Sequence, residues 1–174
     1  MNRRTVLQSL VALAVLPLLP GCSRAAAPAA AAGSAAVLPL RTPAQAWRGK
    51  VSPAAYRVLF EDGTEPAFSS ALDKEKRAGT FVCAACRLPL FASTAKFDSG
   101  TGWPSFTRPI AGHIATRKDF KLIWPRTEYH CARCGGHQGH VFDDGPPPRG
   151  QRWCNNGVAL AFVPKGRPLP ALRS

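Results

Sequence analysis

Cys154 is the residue of this sequence best placed to act as a nucleophile, because each of the other five cysteines has an evident alternative role. It lies within the Arg-Trp-Cys-Asn-Asn segment 152–156. A short distance upstream, His137, His140 and Asp144 supply groups that donate and accept protons. A thiol accompanied by imidazole and guanidinium groups is typical of sites that use thiolate chemistry.

Four cysteines form two C-x-x-C pairs, Cys83 with Cys86 and Cys131 with Cys134. A tight turn between paired cysteines aims both sulfurs at one point, and two such turns complete a tetrahedron of thiolates around Zn²⁺. Two disulfides or a thioredoxin-like redox pair are the alternatives, but no βαβ pattern surrounds either pair. The doubled spacing therefore predicts one structural zinc ion per chain.

The sixth cysteine, Cys22, ends a segment with the features of an export signal. Arg3 and Arg4 precede an apolar run that is too short to predict a membrane-spanning helix. The final Leu-Pro-Gly-Cys resembles a bacterial lipobox, which predicts lipid attachment at Cys22, and the paired arginines resemble a twin-arginine signal. A signal peptide cleaved elsewhere is the alternative. We expect export to the bacterial periplasm and a lipid anchor in the membrane.

The remaining sequence predicts one globular domain. Residues 1–22 form the signal segment, and residues 23–46 form a tether rich in Ala and Pro without a periodic apolar pattern. Residues 47–165 have the length of one domain with one core. Residues 166–174 are predicted to form a loose tail.

Turn residues and short apolar runs predict a mainly β domain with short helices near its start. Ser52 followed by Pro53 predicts a capped helix over residues 54–60, and a second short helix is predicted over residues 70–77, closed by Gly79. Strands are predicted at residues 80–83, 88–91, 113–116, 120–124, 127–131, 140–142, 151–154 and 158–163. This spacing is typical of small antiparallel sheets.

The chain is basic, with a formal net charge of +13. A basic zinc domain is a candidate for nucleic-acid binding. However, the basic residues are scattered, no C-x-x-C…H-x-x-x-H finger is present, and export separates the protein from DNA. We therefore expect no nucleic-acid partner, and we interpret the charge as a solvated surface or as loose attraction to anionic lipid headgroups.

Several long motifs resemble those of the type-B methionine sulfoxide reductases, the enzymes that act on methionine-R-sulfoxide. They are, in order, YRVLFEDGTEP at 56–66, GTFVC at 79–83, KFDSGTGWPSF at 96–106, HQGHVF at 137–142 and RWCNN at 152–156. The similarity runs from about residue 56 to residue 162 and includes both cysteine pairs. It implies a β-tent fold of two small antiparallel sheets, with the zinc remote from the active site.

The resemblance also implies roles for individual residues. It implies that Cys154 is the nucleophile, that Trp103 contacts the substrate, and that the rest of the pocket is formed by His137, His140, Asp144, Arg152 and Asn156. Arg152 lies two positions before Cys154, so on a strand both side chains share one face, where the guanidinium lowers the pKa of the thiol.

The implied reaction is attack of the Cys154 thiolate on the sulfoxide sulfur, followed by loss of methionine and formation of a sulfenic acid. His137 or His140 donates a proton to the sulfoxide oxygen, and Asp144 orients the imidazole. The sequence does not choose between the two histidines. The expected substrate is oxidised methionine in proteins or peptides.

One position departs from the family pattern, because Thr101 stands where many members carry a resolving cysteine. With four cysteines held by zinc and Cys22 held by lipid, no second thiol is free; the alternative is an unmodified Cys22, which could reach the pocket on its flexible tether. We therefore expect a thioredoxin-like reductant in the envelope to reduce the Cys154 sulfenic acid directly. An inactive binding module stabilised by zinc is the alternative function.

Overall fold

The computed structural model describes residues 36–120 and 124–174. The predicted signal segment with Cys22, and the first part of the predicted tether, lie outside the described residues. Within the described ranges, no helix is long and apolar enough to cross a membrane.

Helix α1, Pro53–Phe60, forms where the sequence predicts it. The Ser52 hydroxyl accepts a hydrogen bond from the Ala55 amide at 3.1 Å, and Pro53 occupies the first helical position. The second predicted helix is wrong, because residues 70–77 contain only the 3₁₀ turn Ala71–Lys74. Glu75 is extended there and its carboxylate accepts from the Arg77 amide, a local hydrogen bond that competes with helix formation.

The strands form two antiparallel sheets, as the sequence predicts. The smaller sheet has the order β2-β1-β9 and the larger sheet has the order β3-β4-β8-β7-β6-β5. The strands are β1 Gly79–Cys83, β2 Pro89–Ala92, β3 Lys96–Phe97, β4 Ser105–Phe106, β5 Ile114–Asp119, β6 Arg126–Cys131, β7 His137–Phe142, β8 Arg152–Asn155 and β9 Leu160–Pro164.

Two of the predicted strands differ from the structure. The strand predicted at residues 120–124 is not formed by Phe120 or Trp124, which are exposed and outside any strand, and residues 121–123 lie outside the described residues. The strand predicted at residues 158–163 begins later, because Gly157–Ala159 form a 3₁₀ turn. The sequence does not predict strands β3 and β4, since two residues carry no periodic pattern.

An aromatic core lies against one face of the larger sheet. Phe91 stacks on Phe106 with ring centroids 4.1 Å apart, and Tyr129 meets Trp153 edge to face at 5.1 Å. Because side chains alternate along a strand, the residue next to each of these aromatics on its own strand projects from the opposite face of the sheet. Cys154 follows Trp153, so it belongs to that opposite face.

Both ends of the domain differ from the predicted boundaries. Residues before Trp47 already pack on the core, and the Leu40 amide donates to the Arg133 carbonyl at 2.6 Å. The predicted loose tail over residues 166–174 is wrong at its end, because the Arg173 guanidinium donates to the carbonyls of Ala84 and Ala85. These carbonyls belong to the turn between two cysteines, so the tail satisfies polar groups that the turn leaves unpaired.

Candidate active site

Cys154 lies in the middle of a row of side chains that crosses the larger sheet. It is paired with His140 on β7 and with Ser105 on β4, and His140 is paired with Glu128 on β6. Residues directly opposite each other in antiparallel strands project from the same face. The row therefore places a thiol, an imidazole and a carboxylate side by side on the face away from the aromatic core.

Close approach of β7 and β8 requires the glycine between the two strands. A Cβ atom on Gly139 would lie 1.9 Å from the carbonyl oxygen of Cys154. No side chain fits at that distance, so any substitution would push β8 away from β7. Gly139 thereby fixes the distance between the backbones that carry His140 and Cys154.

A cavity of about 140 Å³ opens over Cys154. Four of the predicted site residues line it: Cys154, Trp103, His140 and Asn156. The other three predicted residues, His137, Asp144 and Arg152, are not among the lining residues. The unpredicted residues that complete the lining are Thr64, Arg126, Gly139, Phe142 and Asn155.

Trp103 is held at the cavity by its neighbours. Its indole N–H donates to the carbonyl of Glu65 at 3.2 Å. The preceding residue, Gly102, has a φ of +87°, and its carbonyl accepts from the Phe68 amide at 2.8 Å. A Cβ on Gly102 would lie 2.7 Å from that amide nitrogen, so the loop that presents Trp103 requires glycine there.

His140 is oriented by a carboxylate that the sequence does not reveal. Its Nε2 lies 2.8 Å from Oδ2 of Asp119, a buried residue at the end of β5. Asp119 also accepts from the Arg126 guanidinium at 2.6 Å. A carboxylate partner favours the imidazole proton on Nε2, which leaves Nδ1 as the unprotonated nitrogen of the neutral ring. Asp119 and Arg126 lie at the ends of two successive strands, and no sequence spacing indicates that they meet His140.

His137 joins His140 on the same face through a β-bulge. The register between β6 and β7 shifts after Tyr129, so that His130 pairs with His137 and Gln138 has no opposite residue. Strict alternation would send His137 and His140 to opposite faces, because they are three residues apart. With the bulge, their ring centroids lie 5.4 Å apart.

His137 differs from His140 in its surroundings. It is buried, and its Nδ1 lies 2.5 Å from Oε1 of Glu128. Burial lowers the pKa of His137, so this imidazole is predominantly neutral at neutral pH. Burial alone would raise the pKa of the Glu128 carboxyl. The hydrogen bond from Arg117 and the neighbouring imidazoles outweigh this effect and lower that pKa to about 2. Glu128 and His130 alternate on β6, a pattern that could have indicated a polar face.

The expectation that Asp144 orients an imidazole is wrong. The Asp144 carboxylate instead accepts two hydrogen bonds from the Arg152 guanidinium, at 2.7 and 2.9 Å. This fork also lowers the pKa of Asp144. Arg152 is buried and lies over the ring of Phe142, which fixes its charge close to Cys154.

Burial dominates the ionisation of Cys154. Removal from water raises the pKa of the thiol, and the charge and hydrogen bond of Arg152 offset only part of that increase. Arg152 thus acts in the predicted direction, but the net pKa lies above its ordinary value. The free thiol therefore keeps its proton at neutral pH.

Asn156 holds the base of the cavity together. Its side-chain amide donates to the carbonyl of Gln138 at 3.0 Å, and its carbonyl oxygen accepts from the Glu65 amide at 3.0 Å. The buried Glu65 carboxylate accepts in turn from the amides of Gly157 and Val158. Asn156 therefore joins the end of β8 to Glu65, whose carbonyl in turn accepts from the Trp103 indole.

Thr101 begins a chain of hydroxyl groups that leads toward Cys154. Its Oγ1 lies 2.8 Å from Oγ of Ser99, which lies 2.8 Å from Oγ of Ser105. Ser105 is the β4 partner of Cys154. The hydroxyls thus connect the loop of Thr101 to the strand that pairs with Cys154.

The four predicted zinc ligands cluster away from the cavity, between the two sheets. Cys83 ends β1, Cys131 ends β6, and Cys86 and Cys134 lie in the turns that follow. All four sulfurs lie within 4.8 Å of one another, and the Cys83–Cys134 and Cys86–Cys131 separations are 3.7 and 3.4 Å. A tetrahedral Zn²⁺ with Zn–S distances of about 2.3 Å separates its sulfurs by about 3.8 Å. The donor set therefore fits zinc.

Gln138, the bulged residue, connects this cluster to the site. Its amide nitrogen lies 3.5 Å from the Cys83 sulfur, and its side-chain oxygen accepts from Asn155 at 3.3 Å. Asn155 follows Cys154 and accepts a hydrogen bond from the buried Tyr129 hydroxyl. The cysteine cluster and β8 are thus joined by buried hydrogen bonds.

Comparison with known proteins agrees with these motifs. The family model of the SelR domain matches residues 51–164. The chain is 52% identical to the peptide methionine sulfoxide reductase MsrB of Bradyrhizobium diazoefficiens over 120 residues, which cover 68% of this chain and 86% of the relative. It is 51% identical to the protein of the same name from Thiobacillus denitrificans over 126 residues, which cover 72% and 95% of the two chains.

Proposed function

Because the chain belongs to the type-B methionine sulfoxide reductases, we propose that it reduces methionine-R-sulfoxide to methionine with Cys154 as the nucleophile. The observation that carries this assignment is the convergence of Cys154, His140 and Trp103 on one cavity. The cross-strand pairing of Cys154 with His140 supplies the proton-transfer partner that a protonated thiol needs.

The proposed reaction moves the sulfoxide oxygen from methionine to Cys154. The Cys154 sulfur attacks the substrate, the S–O bond of the sulfoxide breaks, and the oxygen is bound to the cysteine sulfur at the end. The substrate sulfur gains two electrons and Cys154 loses two. The thiol proton is retained on the sulfenic acid, so the step needs no additional proton.

His140 is the proposed carrier of that proton. It lines the cavity and lies opposite Cys154, and Asp119 binds its Nε2. The free Nδ1 accepts the proton as the thiolate forms and returns it to the sulfoxide oxygen. His137 is buried and contacts the Glu128 carboxylate, so its proposed role is to support the positions of His140 and Glu128.

Trp103 and Arg152 have proposed roles in binding and in charge stabilisation. The indole face of Trp103 forms an apolar wall for the S-methyl group, which is how the enzyme distinguishes the R from the S configuration. Arg152, fixed by Asp144, stabilises the thiolate as it develops.

We further propose that a thioredoxin-like protein regenerates the enzyme. One external thiol attacks the Cys154 sulfenic acid and releases water, and a second thiol releases Cys154 as the resulting mixed disulfide breaks. Thr101, in place of a resolving cysteine, supports this direct route.

We propose that the reaction takes place in the cell envelope. The features of residues 1–22, with the lipobox-like ending at Cys22, support export and membrane anchoring. Replacing Cys22 with Ala should release the protein from the membrane fraction. Retention of the variant in that fraction would contradict the proposed anchor.

The cysteine cluster is the proposed site of a structural Zn²⁺. Cys83, Cys86, Cys131 and Cys134 would hold it, and when bound it would neutralise thiolate charge and join the two sheets. The ion has no proposed part in the chemistry, because the four cysteines do not line the cavity at Cys154.

A stereoresolved assay tests the proposed function. The wild type should reduce the R-sulfoxide of a methionyl peptide with dithiothreitol and leave the S-sulfoxide unchanged, and Cys154→Ser should reduce neither. Absence of turnover in a folded, zinc-containing wild type would instead favour an inactive binding module.

A further inference from the structure

We propose that Glu128, His130 and His137 form a second metal site, which binds a divalent transition ion such as Zn²⁺ beside the active site. The three residues lie on β6 and β7, on the face that carries His140 and Cys154. The site is distinct from the cysteine cluster because its donors are two imidazole nitrogens and a carboxylate oxygen, a set that suits borderline divalent ions.

The donor atoms already converge. Oε1 of Glu128 lies 2.5 Å from Nδ1 of His137 and 2.8 Å from Nε2 of His130. All three ligand atoms lie within 4.8 Å of one another, and all three residues are buried. The β-bulge at Gln138 creates this arrangement, because it brings His137 opposite His130.

One donor atom has no satisfied hydrogen bond. Nε2 of His130 is buried and lacks a hydrogen-bond partner among the described residues, although the Glu128 oxygen is only 2.8 Å away. The distance is short, but the direction between the groups does not meet hydrogen-bond geometry. His130 is 9% exposed, so water does not compensate this nitrogen freely. A buried nitrogen without a hydrogen-bond partner, 2.8 Å from a carboxylate oxygen that also contacts a second imidazole, is explained by a cation among the three groups.

A small expansion makes room for the ion. Nitrogen and oxygen ligands at about 2.0 Å from a tetrahedral Zn²⁺ lie roughly 3.3 Å apart, which is less than about 1 Å beyond the two separations from the Glu128 oxygen. The second oxygen of Glu128 accepts from Arg117 at 2.7 Å, and such an outer hydrogen bond orients a ligating carboxylate. Solvent or a ligand on the ion completes the coordination.

Arg117 also suggests how the ion enters. Its guanidinium is half-exposed and lies between two carboxylates, 2.7 Å from that of Glu128 and 3.6 Å from that of Asp62. Rotation of this long side chain toward solvent uncovers the Glu128 carboxylate.

The bound ion would inhibit the proposed reduction reversibly. It would replace the Glu128 contact of His137 and place positive charge behind a ring whose centroid is 5.4 Å from that of His140. Ligation would turn the His137 ring away from its Glu128 contact, and because this ring packs against that of His140, the proposed proton carrier would be displaced from its position opposite Cys154. Excess metal in the envelope would thereby reduce repair activity. The inhibition rests on the proposed function, whereas metal binding does not.

Metal stoichiometry of the full chain tests the site. The parent protein is the Cys154→Ser variant with zinc bound in the cysteine cluster. Among the described residues, this variant has no thiol outside that cluster. Native mass spectrometry with added Zn²⁺ should show a second equivalent in this parent and in the His113→Gln control. His130→Gln should keep the first equivalent and bind the second roughly tenfold or more weakly. Glu128→Gln serves as the second variant if His130→Gln does not fold.

Added Co²⁺ identifies the ligands at the same site. We expect visible d–d bands without a thiolate-to-cobalt charge-transfer band, and we expect these bands to be lost in His130→Gln. Excess Zn²⁺ should inhibit the enzyme with native Cys154, and His130→Gln should resist that inhibition. A single equivalent in the parent, a second equivalent unaffected by His130→Gln, or sulfur ligation of the added cobalt would overturn the proposal.

Discussion

His140 lies directly opposite Cys154 in the antiparallel pairing of β7 with β8. This pairing brings an imidazole to the same face as the thiol without any contribution from a loop. His137 reaches that face only through a bulge, and it is bound to Glu128 below the surface. The two histidines that the sequence leaves equivalent therefore have different positions and different partners.

The first prediction concerns these two histidines. His140→Gln should lower the rate of sulfenic acid formation by about 10²–10⁴-fold, because it removes the proton carrier beside Cys154. His137→Gln should cause a smaller loss, because His137 supports the row from a buried position. Rapid-quench measurement of methionine release under single-turnover conditions gives both rates. Asp119→Asn is the matched control and should show an intermediate loss with a changed pH profile. A larger loss in His137→Gln than in His140→Gln would reverse the assignment.

The second prediction concerns the charge beside Cys154. Arg152→Gln removes a cation that favours the thiolate, so the pKa of Cys154 should rise further, and alkylation by iodoacetamide at a fixed mildly alkaline pH should slow roughly tenfold per pKa unit. Asp144→Asn should act in the opposite direction, because the Asp144 charge raises the pKa of the thiol. The pH dependence of alkylation measures both shifts. Equal midpoints in the two variants would show that neither charge acts on Cys154.

The third prediction concerns the cysteine cluster. Binding free energies of structural zinc are about 10–16 kcal/mol in small zinc domains, which is comparable to the total stability of a typical domain of about 5–15 kcal/mol. Cys131→Ser should therefore lose the metal and lower the melting temperature strongly or prevent folding. Metal analysis and circular dichroism melting test this, with Cys154→Ser as the control that keeps both properties. A metal-free variant with an unchanged melting temperature would rule out a structural role.

The fourth prediction concerns the missing resolving thiol. Thr101→Cys places a thiol on the loop that the hydroxyls of Ser99 and Ser105 connect to Cys154. After reaction with R-sulfoxide, the variant should form a disulfide between the introduced thiol and Cys154 and lose the sulfenic acid. Mass spectrometry distinguishes the two products, and Thr101→Ser should retain the sulfenic acid. A stable sulfenic acid in Thr101→Cys would indicate that the loop cannot reach Cys154.

Much of the architecture can be predicted from local sequence patterns. The Ser52–Pro53 helix start, the two cysteine pairs and the longer strands β5 to β8 depend on residues close together in the chain, and local chemistry largely determines them. The prediction of a second helix is wrong because a hydrogen bond between Glu75 and Arg77 outweighs weak helix propensity.

The contacts that orient the site cannot be predicted in the same way. Asp119 on β5 reaches His140 on β7 across the intervening strand β6, and the bulge at Gln138 changes the face of His137. Both depend on strand register, which one sequence does not specify. The sequence suggests Asp144 as the partner of a histidine, but Arg152 offers that carboxylate two parallel donors.

The most direct test of the central claim is a single turnover without any reductant. The enzyme is mixed with excess R-sulfoxide peptide, and methionine and the dimedone adduct of the enzyme are quantified. One methionine per chain, with the adduct on Cys154 and none in Cys154→Ser, is the predicted result. Methionine formation that persists in Cys154→Ser, or an adduct on another residue, would contradict the assignment of Cys154 as the nucleophile.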